Sequence, residues 1–249
     1  GDSLLGLRLL ARIEKRFGIA LDVSMLAASP TPETLAAALA SQNPRDPVIW
    51  FRRGASWRTP VVFIHATGGD VASYRHLSSL LPSELPVAGV PAPPRLPQSL
   101  RELSALHAVG VEKELPGRDA VLAGWSLGGV VALEIARSLR ERGFRIPLVL
   151  LFDSRLPSGP APIDDSLPER SRELLRLWQD HRVDSYDGDA LLVRAVSDGG
   201  EGQAALWRER LPGLVVIPTR LSHQEMMRPP QVARVAQIAE RALHGVHAR

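Results

Sequence analysis

The sequence predicts an α/β fold built on a mostly parallel sheet with helices on both faces. Two observations carry this expectation. Short runs rich in Val, Ile, Leu and Phe alternate along most of the chain with longer segments whose apolar residues recur every three or four positions, the order of strands joined by crossover helices. One run, 148–152 (Leu-Val-Leu-Leu-Phe), is apolar throughout, as a parallel strand covered on both faces must be.

Residues 1–41 stand apart as a helical unit. Leu5, Leu9, Ile13 and Phe17 recur at four-residue spacing with Arg8, Arg12 and Arg16 on another face, giving an amphipathic helix that stops at Gly18. A short second helix is expected near 23–28. Thr31 and Pro32 start a third, the threonine as cap and the proline at the first helical position, where its missing N–H costs nothing. Three short helices in about forty residues bury little surface, so this unit is expected to be incomplete as a domain. Residues 42–47, Gln-Asn-Pro-Arg-Asp-Pro, read as a linker.

The alternation begins at residue 48. Strands are expected at 48–52 and 60–64, a helix at 74–81, a strand at 86–90, a helix at 100–114 and a strand at 120–123. A long helix over 127–142, closed by Gly143, leads to the strand 148–152. Residues 154–189 interrupt the pattern: a Pro- and Gly-rich stretch over 156–168 precedes a helix around 169–181, so the segment is expected to be a short lid inserted above the sheet. Strands at 191–196 and 214–218, a helix at 203–211 between them and a helix at 231–243 complete the chain. No internal repeat is visible.

Composition narrows the function. The chain has 249 residues, 45% hydrophobic and 23% charged, which supplies both a core and a solvated surface. Only Lys15 and Lys113 are lysines among its 30 basic residues, and 27 acids leave a net charge of +3. The arginines are scattered rather than clustered with stacking aromatics, so nucleic-acid binding is not expected. The absence of cysteine removes disulfides, thiolate nucleophiles and thiolate-bound zinc. No apolar run is long enough to span a bilayer and no secretory signal is visible, so a cytoplasmic location is expected and a membrane partner is not. No His/Asp/Glu cluster has metal-ligand spacing, and no Gly-rich phosphate loop carries its lysine.

The chemistry concentrates on Gly124-Trp125-Ser126-Leu127-Gly128-Gly129, between the strand 120–123 and the helix from Leu127. A Gly-x-Ser-x-Gly turn at such a junction is a nucleophile elbow: it holds the serine in a strained conformation and requires small neighbours for the turn to close. The hydroxyl then sits at a helix N-terminus, where amide N–H groups and the helix dipole stabilise an oxyanion. A serine needs a base to take its proton and an acid to orient that base, and in α/β-hydrolases these follow in the order Ser, Asp or Glu, His. His181 lies in the insertion, and His244 and His247 lie in the last helix or tail. His223 follows a strand and precedes the final helix, where the base belongs. Asp153 and Asp198 each follow a strand, and spacing does not separate them. The loop His65-Ala66-Thr67-Gly68-Gly69 follows the strand 60–64, where a Gly-containing loop supplies a second oxyanion N–H.

With these residues in place the chain resembles the type I thioesterase domain that terminates nonribosomal peptide and polyketide synthetases. Residues 62–69 followed by Tyr74-Arg75-His76-Leu77 look like the family's opening segment, 124–134 like its elbow and helix, Leu150-Leu151-Phe152-Asp153-Ser154 like its strand ending in the triad acid, and Ser222-His223-Gln224-Glu225-Met226-Met227 like its histidine loop. The resemblance covers about residues 47–245 and favours Asp153 over Asp198. It implies an α/β-hydrolase in which Ser126, Asp153 and His223 are catalytic and the N–H groups of Thr67 and Leu127 form the oxyanion hole. Ala66 stands where the family commonly has proline, and the insertion is short for its lid. Gly1-Asp2-Ser3-Leu4 is similar to the modification motif of acyl and peptidyl carrier proteins, and Phe17-Gly18-Ile19, Pro30-Thr31 and Leu35-Ala36 match their later segments. Residues 1–41 are thus expected to be the C-terminal part of a carrier, without its first helix and first long loop, with 4'-phosphopantetheine attached to Ser3. The thioesterase itself is expected to need no cofactor.

The function expected from the resemblance is release of an acyl or peptidyl chain from a carrier's phosphopantetheine thiol through a Ser126 acyl-enzyme, by hydrolysis or cyclisation. The partners implied are the carrier-bound thioester and upstream synthetase modules in cis. Two alternatives remain open at this point: a stand-alone esterase of the same fold, and a catalytically silent carrier-docking module.

Overall fold

The computed structural model describes residues 9, 12–13, 31–35, 47–115, 117, 119–157, 159–196 and 201–247. The chain divides into two compact units, Gly1–Ile49 and Trp50–Arg249. In the first, residues 32–35 are helical. The Thr31 hydroxyl accepts from the Thr34 amide at 3.2 Å and its carbonyl accepts from Leu35 at 2.9 Å, the capping expected of a threonine before a proline. Ser3, the expected helix at 23–28 and most of the linker lie outside the described residues, as does Asp198.

Seven strands form one sheet: β1 (Ile49–Arg52), β2 (Val61–Ile64), β3 (Val87–Val90), β4 (Val121–Trp125), β5 (Val149–Phe152), β6 (Ala190–Ala195) and β7 (Leu214–Thr219). Their order is β1-β3-β2-β4-β5-β6-β7. Every pair from β3 to β7 runs parallel. The central strands β2, β3 and β5 are buried along their whole length, which explains runs such as Val-Val-Phe-Ile with no polar alternation. From β2 the chain crosses to β3 on one side and returns to β4 on the other. Crevices at such reversals open at the carboxyl ends of the strands, and β4 ends there at Trp125, followed directly by Ser126.

The helices are α1 (Arg75–Leu80), α2 (Leu100–Glu114), α3 (Leu127–Glu141), α4 (Glu169–Gln179), α5 (Glu201–Arg210) and α6 (Val232–His247). Helix α2 starts at Ser99, whose hydroxyl accepts from the Glu102 amide at 3.2 Å while the Glu102 carboxylate accepts from Gln98 N–H at 3.1 Å. It packs on α3, which lies across β2, β4 and β5, while α1 packs on α6. Helix α3 is buried from Leu127 to Ala136 without a break, so apart from Glu134 this stretch is apolar or glycine all round rather than a one-sided stripe. The Gly143 expected to close it has φ +84°, and its N–H donates to Arg140 at 3.0 Å. Phe63, Ile64, Leu122, Leu133, Ile135, Phe152 and Trp207 are among the largest fully buried side chains, each contributing about 1.5–3 kcal/mol by leaving water.

The insertion between β5 and β6 contains α4 and extended chain, and it is tied down along its length. Trp178 Nε1 donates to the Arg155 carbonyl at 3.3 Å, and the Gln179 side-chain amide donates to Ala161 at 2.9 Å. The Arg170 guanidinium donates to the carbonyls of Pro93 and Pro94. Beyond the helix, His181 Nε2 meets the buried Glu134 carboxylate of α3 at 3.1 Å, and Arg137 donates to the Ser185 carbonyl at 3.0 Å.

Candidate active site

Ser126 occupies the turn between β4 and α3 with φ +60° and ψ −127°, a conformation that side-chain-bearing residues seldom adopt and that costs about 1–3 kcal/mol. The glycines around it make the turn possible. A Cβ on Gly124 would lie 2.1 Å from the Gly128 backbone, and one on Gly128 would lie 2.6 Å from the carbonyls of Ile64 and His65. A Cβ on Gly129 would meet Ser154 Oγ at 1.8 Å. The Gly-x-Ser-x-Gly-Gly spacing is therefore a packing requirement between α3, β2 and the end of β5. Ser126 N–H donates to the Phe152 carbonyl at 3.0 Å, which extends the β4–β5 ladder into the turn.

Asp153 directly follows β5, with φ +42° and its side chain buried. Both carboxylate oxygens are engaged. Oδ1 accepts from the Ala195 amide at 2.9 Å, and Oδ2 lies 2.7 Å from His223 Nδ1. A carboxylate can only accept, so Nδ1 carries hydrogen and Nε2 is left with the lone pair that could take a proton. His223 sits in the loop after β7, held by Glu225, whose carboxylate accepts from Ser222 N–H at 2.7 Å and from the Ser222 hydroxyl at 2.8 Å. The imidazole stacks on the Trp125 indole at 4.8 Å between centroids and 27° between planes. The residue just before Ser126 thus forms a shelf for the base.

A cleft of about 270 Å³ is lined by Thr67, Ser126, Leu127, Asp153, Arg155, Leu175, Trp178 and His223. Thr67 comes from the loop after β2, and Leu127 is the first residue of α3, whose N–H has no acceptor within the helix. Arg155, Leu175 and Trp178 supply a cation, an aliphatic side chain and an aromatic ring to the same cleft, so the nucleophile faces a partly apolar wall.

Of the residues singled out by sequence, Ser126, Asp153, His223, Thr67 and Leu127 come together in this one cleft. His181 is engaged by Glu134 instead, and His244 lies 3.8 Å from Glu240 on α6. Sequence reasoning missed Arg155, Leu175 and Trp178 as lining, the Trp125 shelf, and Tyr74. The Tyr74 hydroxyl donates to the Ile64 carbonyl at 2.7 Å and accepts from Trp125 N–H at 2.8 Å, clamping the ends of β2 and β4 beneath the elbow. Burial pushes its pKa far up, so the hydroxyl stays neutral and can donate. Among the described residues no group of three or more His, Cys, Asp or Glu could hold a metal ion, and no helix is long and apolar enough to cross a membrane.

Comparison with known proteins returns two family matches: thioesterase domain over residues 59–183, and phosphopantetheine attachment site over residues 1–39. The chain is 28% identical over 199 residues to the dimodular nonribosomal peptide synthase of Bacillus subtilis (strain 168), covering 77% of this chain and 8% of that protein. It is 29% identical over 225 residues to malpibaldin synthetase of Mortierella alpina, covering 85% of this chain and 4% of that one. The chain thus spans less than a tenth of the length of these relatives. Among solved structures it is similar to the NocB thioesterase domain in covalent complex with a fluorophosphonate nocardicin G analogue, with TM-score 0.66 and 27% identity over 74% of this chain and 94% of that domain. The four-domain nonribosomal peptide synthetase holo-AB3403 shares the fold with TM-score 0.74 and 22% identity, over 97% of this chain and 24% of that one.

Proposed function

Because this chain belongs to the thioesterase domain family, we propose that it is a serine thioesterase that releases an acyl or peptidyl chain from the phosphopantetheine thiol of a carrier at the end of a synthetase. The observation that carries the reading is the 2.7 Å contact of His223 Nδ1 with the buried Asp153, on the wall of the same cleft as Ser126. The phosphopantetheine attachment match over residues 1–39 supports the choice of substrate, and Ser3 is the residue we assign to carry that group.

The proposed chemistry is nucleophilic catalysis by Ser126. Nε2 of His223 accepts the Ser126 proton as Oγ attacks the thioester carbonyl, and Asp153 stabilises the imidazolium that forms. The carbonyl oxygen becomes an oxyanion facing the N–H groups of Thr67 and Leu127. Collapse breaks the C–S bond, and the pantetheine thiolate leaves and then takes the proton from the His223 imidazolium, which returns to its neutral form. The acyl group then sits as an ester on Ser126. Water, or a hydroxyl or amine of the chain itself, gives up a proton to His223 and attacks that ester; the bond to Ser126 Oγ breaks, and His223 returns the proton to the serine. The apolar wall of Leu175 and Trp178 receives the acyl chain next to the ester carbon.

The test presents one acyl chain both as a pantetheine thioester and as a p-nitrophenyl ester. The thioester should have the higher kcat/KM although p-nitrophenolate is the easier leaving group. Preference for the phenyl ester, with no measurable thioester turnover, would make the protein an esterase.

A further inference from the structure

His65 is fully buried and takes no part in the proton transfers above. It follows β2, where its N–H donates to the Val90 carbonyl at 3.0 Å, and its ring Nδ1 lies 2.9 Å from the carbonyl oxygen of the next residue, Ala66. A carbonyl only accepts, so Nδ1 bears the hydrogen. Burial lowers the imidazole pKa to about 4, so the ring stays in this neutral form throughout the physiological range. The same Ala66 oxygen accepts from Gly69 N–H at 3.0 Å, so two donors converge on one atom.

The Ala66 carbonyl and the Thr67 N–H belong to one planar trans peptide and point in opposite directions. Whatever fixes the oxygen therefore fixes the direction of the N–H. We propose that His65 is a positioning residue for the oxyanion hole: its Nδ1–H pins the Ala66 carbonyl and thereby aims the Thr67 N–H into the cleft over Ser126. The proposal rests on the reading of Thr67 as an oxyanion donor. It also explains why a polar ring is kept in a fully buried place.

The neighbours of the ring suit this task. His107 of α2 meets it edge to face at 5.3 Å, itself buried and held neutral. Among the described residues neither Nε2 has a hydrogen-bond partner, so the contact with Ala66 is the polar interaction that orients His65. Tyr74 holds the carbonyl of Ile64, and Gly128 lets α3 approach to where a Cβ would lie 2.6 Å from the Ile64 and His65 carbonyls. The backbone on the N-terminal side of the Ala66–Thr67 peptide is thus fixed, and His65 joins the Gly69 N–H in holding the peptide itself.

Two polar substitutions separate positioning from mere packing. His65→Asn puts an amide donor near the place of Nδ1, whereas His65→Gln puts it near the place of Nε2. Relative to wild type, His65→Gln should lower kcat for pantetheine-thioester hydrolysis by roughly tenfold to a hundredfold with KM within about twofold, and His65→Asn should recover most of it. Affinity for a boronic acid that forms a tetrahedral adduct on Ser126 should fall in step with kcat, while affinity for an unreactive acyl-pantetheine amide should not change. The Thr67 amide resonance, which needs no turnover, should move in His65→Gln and stay near its wild-type position in His65→Asn. Equal kcat in wild type and His65→Gln, or equal losses in both variants, would overturn the proposal. If wild-type protein shows no Ser126-dependent turnover, the thioesterase reading fails, and the Thr67 resonance still decides whether His65 sets that peptide.

Discussion

Asp153→Asn isolates what the buried carboxylate does, because asparagine suits the backbone. Asp153 has φ +42°, a region in which Asn is among the best tolerated residues, so the change should leave the fold intact where Asp153→Ala would add strain. The carboxylate accepts two hydrogen bonds, one from Ala195 N–H at 2.9 Å and one from His223 Nδ1 at 2.7 Å. An amide has one oxygen. If that oxygen stays on Ala195, the NH₂ group faces His223 and forces Nδ1 to accept, moving the ring hydrogen to Nε2, where it can no longer take the serine proton. If the amide flips, its NH₂ opposes the Ala195 N–H, a buried donor conflict costing about 1–3 kcal/mol. That conflict alone reduces the competent population by roughly 5- to 150-fold. The negative charge that stabilises the imidazolium is lost as well. Loss of this group in a serine protease costs about four orders of magnitude. The lower end is more relevant here, since a thiolate leaves without needing a proton from histidine. The rate of Ser126 acylation, followed by stopped-flow release of a chromogenic thiol, should therefore fall by at least roughly a hundredfold. Asp198→Asn should stay within about twofold of wild type, because Asp153 already meets Nδ1. A folded Asp153→Asn that keeps more than about a tenth of the rate, or a crippled Asp198→Asn, would refute this role for Asp153.

Two further outcomes follow from the packing. Gly129→Ala would place a Cβ 1.8 Å from Ser154 Oγ and 2.7 Å from its Cβ, so α3 or the end of β5 must shift; the cost of about 3 kcal/mol should lower Tm by about 10 °C, read by calorimetry. Stability should also fall as pH drops from 6.5 toward 4. In that window His65 is held neutral in the native state while the unfolded chain binds the proton, so the native state loses ground by an amount on the order of 3 kcal/mol for this residue alone. His107 acts in the same direction. Urea unfolding at pH 7 and pH 5 measures the difference, and the dependence should be shallower in His65→Asn.

Much of the fold was legible because its signals are local. Helix α2 runs over the span expected for it, from a serine cap through a stripe of Leu100, Leu103 and Val111. Strand β4 runs past the expected end at Ala123, because Gly124 and Trp125 still pair with Leu151 and Phe152 before the chain turns. Helix α6 continues to His247, since Val246 is buried like Leu243 and Gly245 does not break the turn. The elbow was legible as well, because its glycines recur at a fixed short spacing around the serine, although Gly128 and Gly129 answer to Ile64, His65 and Ser154, distant in sequence. The remaining parts of the site depend on contacts distant in sequence. The bond from Ala195 to Asp153, the stacking of Trp125 on His223, the clamp of Tyr74 on Trp125 and the engagement of His181 by Glu134 join residues 42 to 98 positions apart. None leaves a periodic trace. The choice between Asp153 and Asp198 was of this kind, since strand ends alone do not say which carboxylate faces the histidine. The role of His65 was hidden for the opposite reason: its partner is the very next residue, and only the direction of a peptide plane reveals it.

Acylation of Ser126 is the step on which every other proposed role depends. Intact-protein mass spectrometry after incubation with a slowly hydrolysed acyl-pantetheine thioester tests this directly. The protein should gain the mass of the acyl group, tryptic mapping should locate it on Ser126, and Ser126→Ala should show neither adduct nor turnover. Thioester cleavage at an unchanged rate in folded Ser126→Ala, or an adduct on another residue, would contradict it.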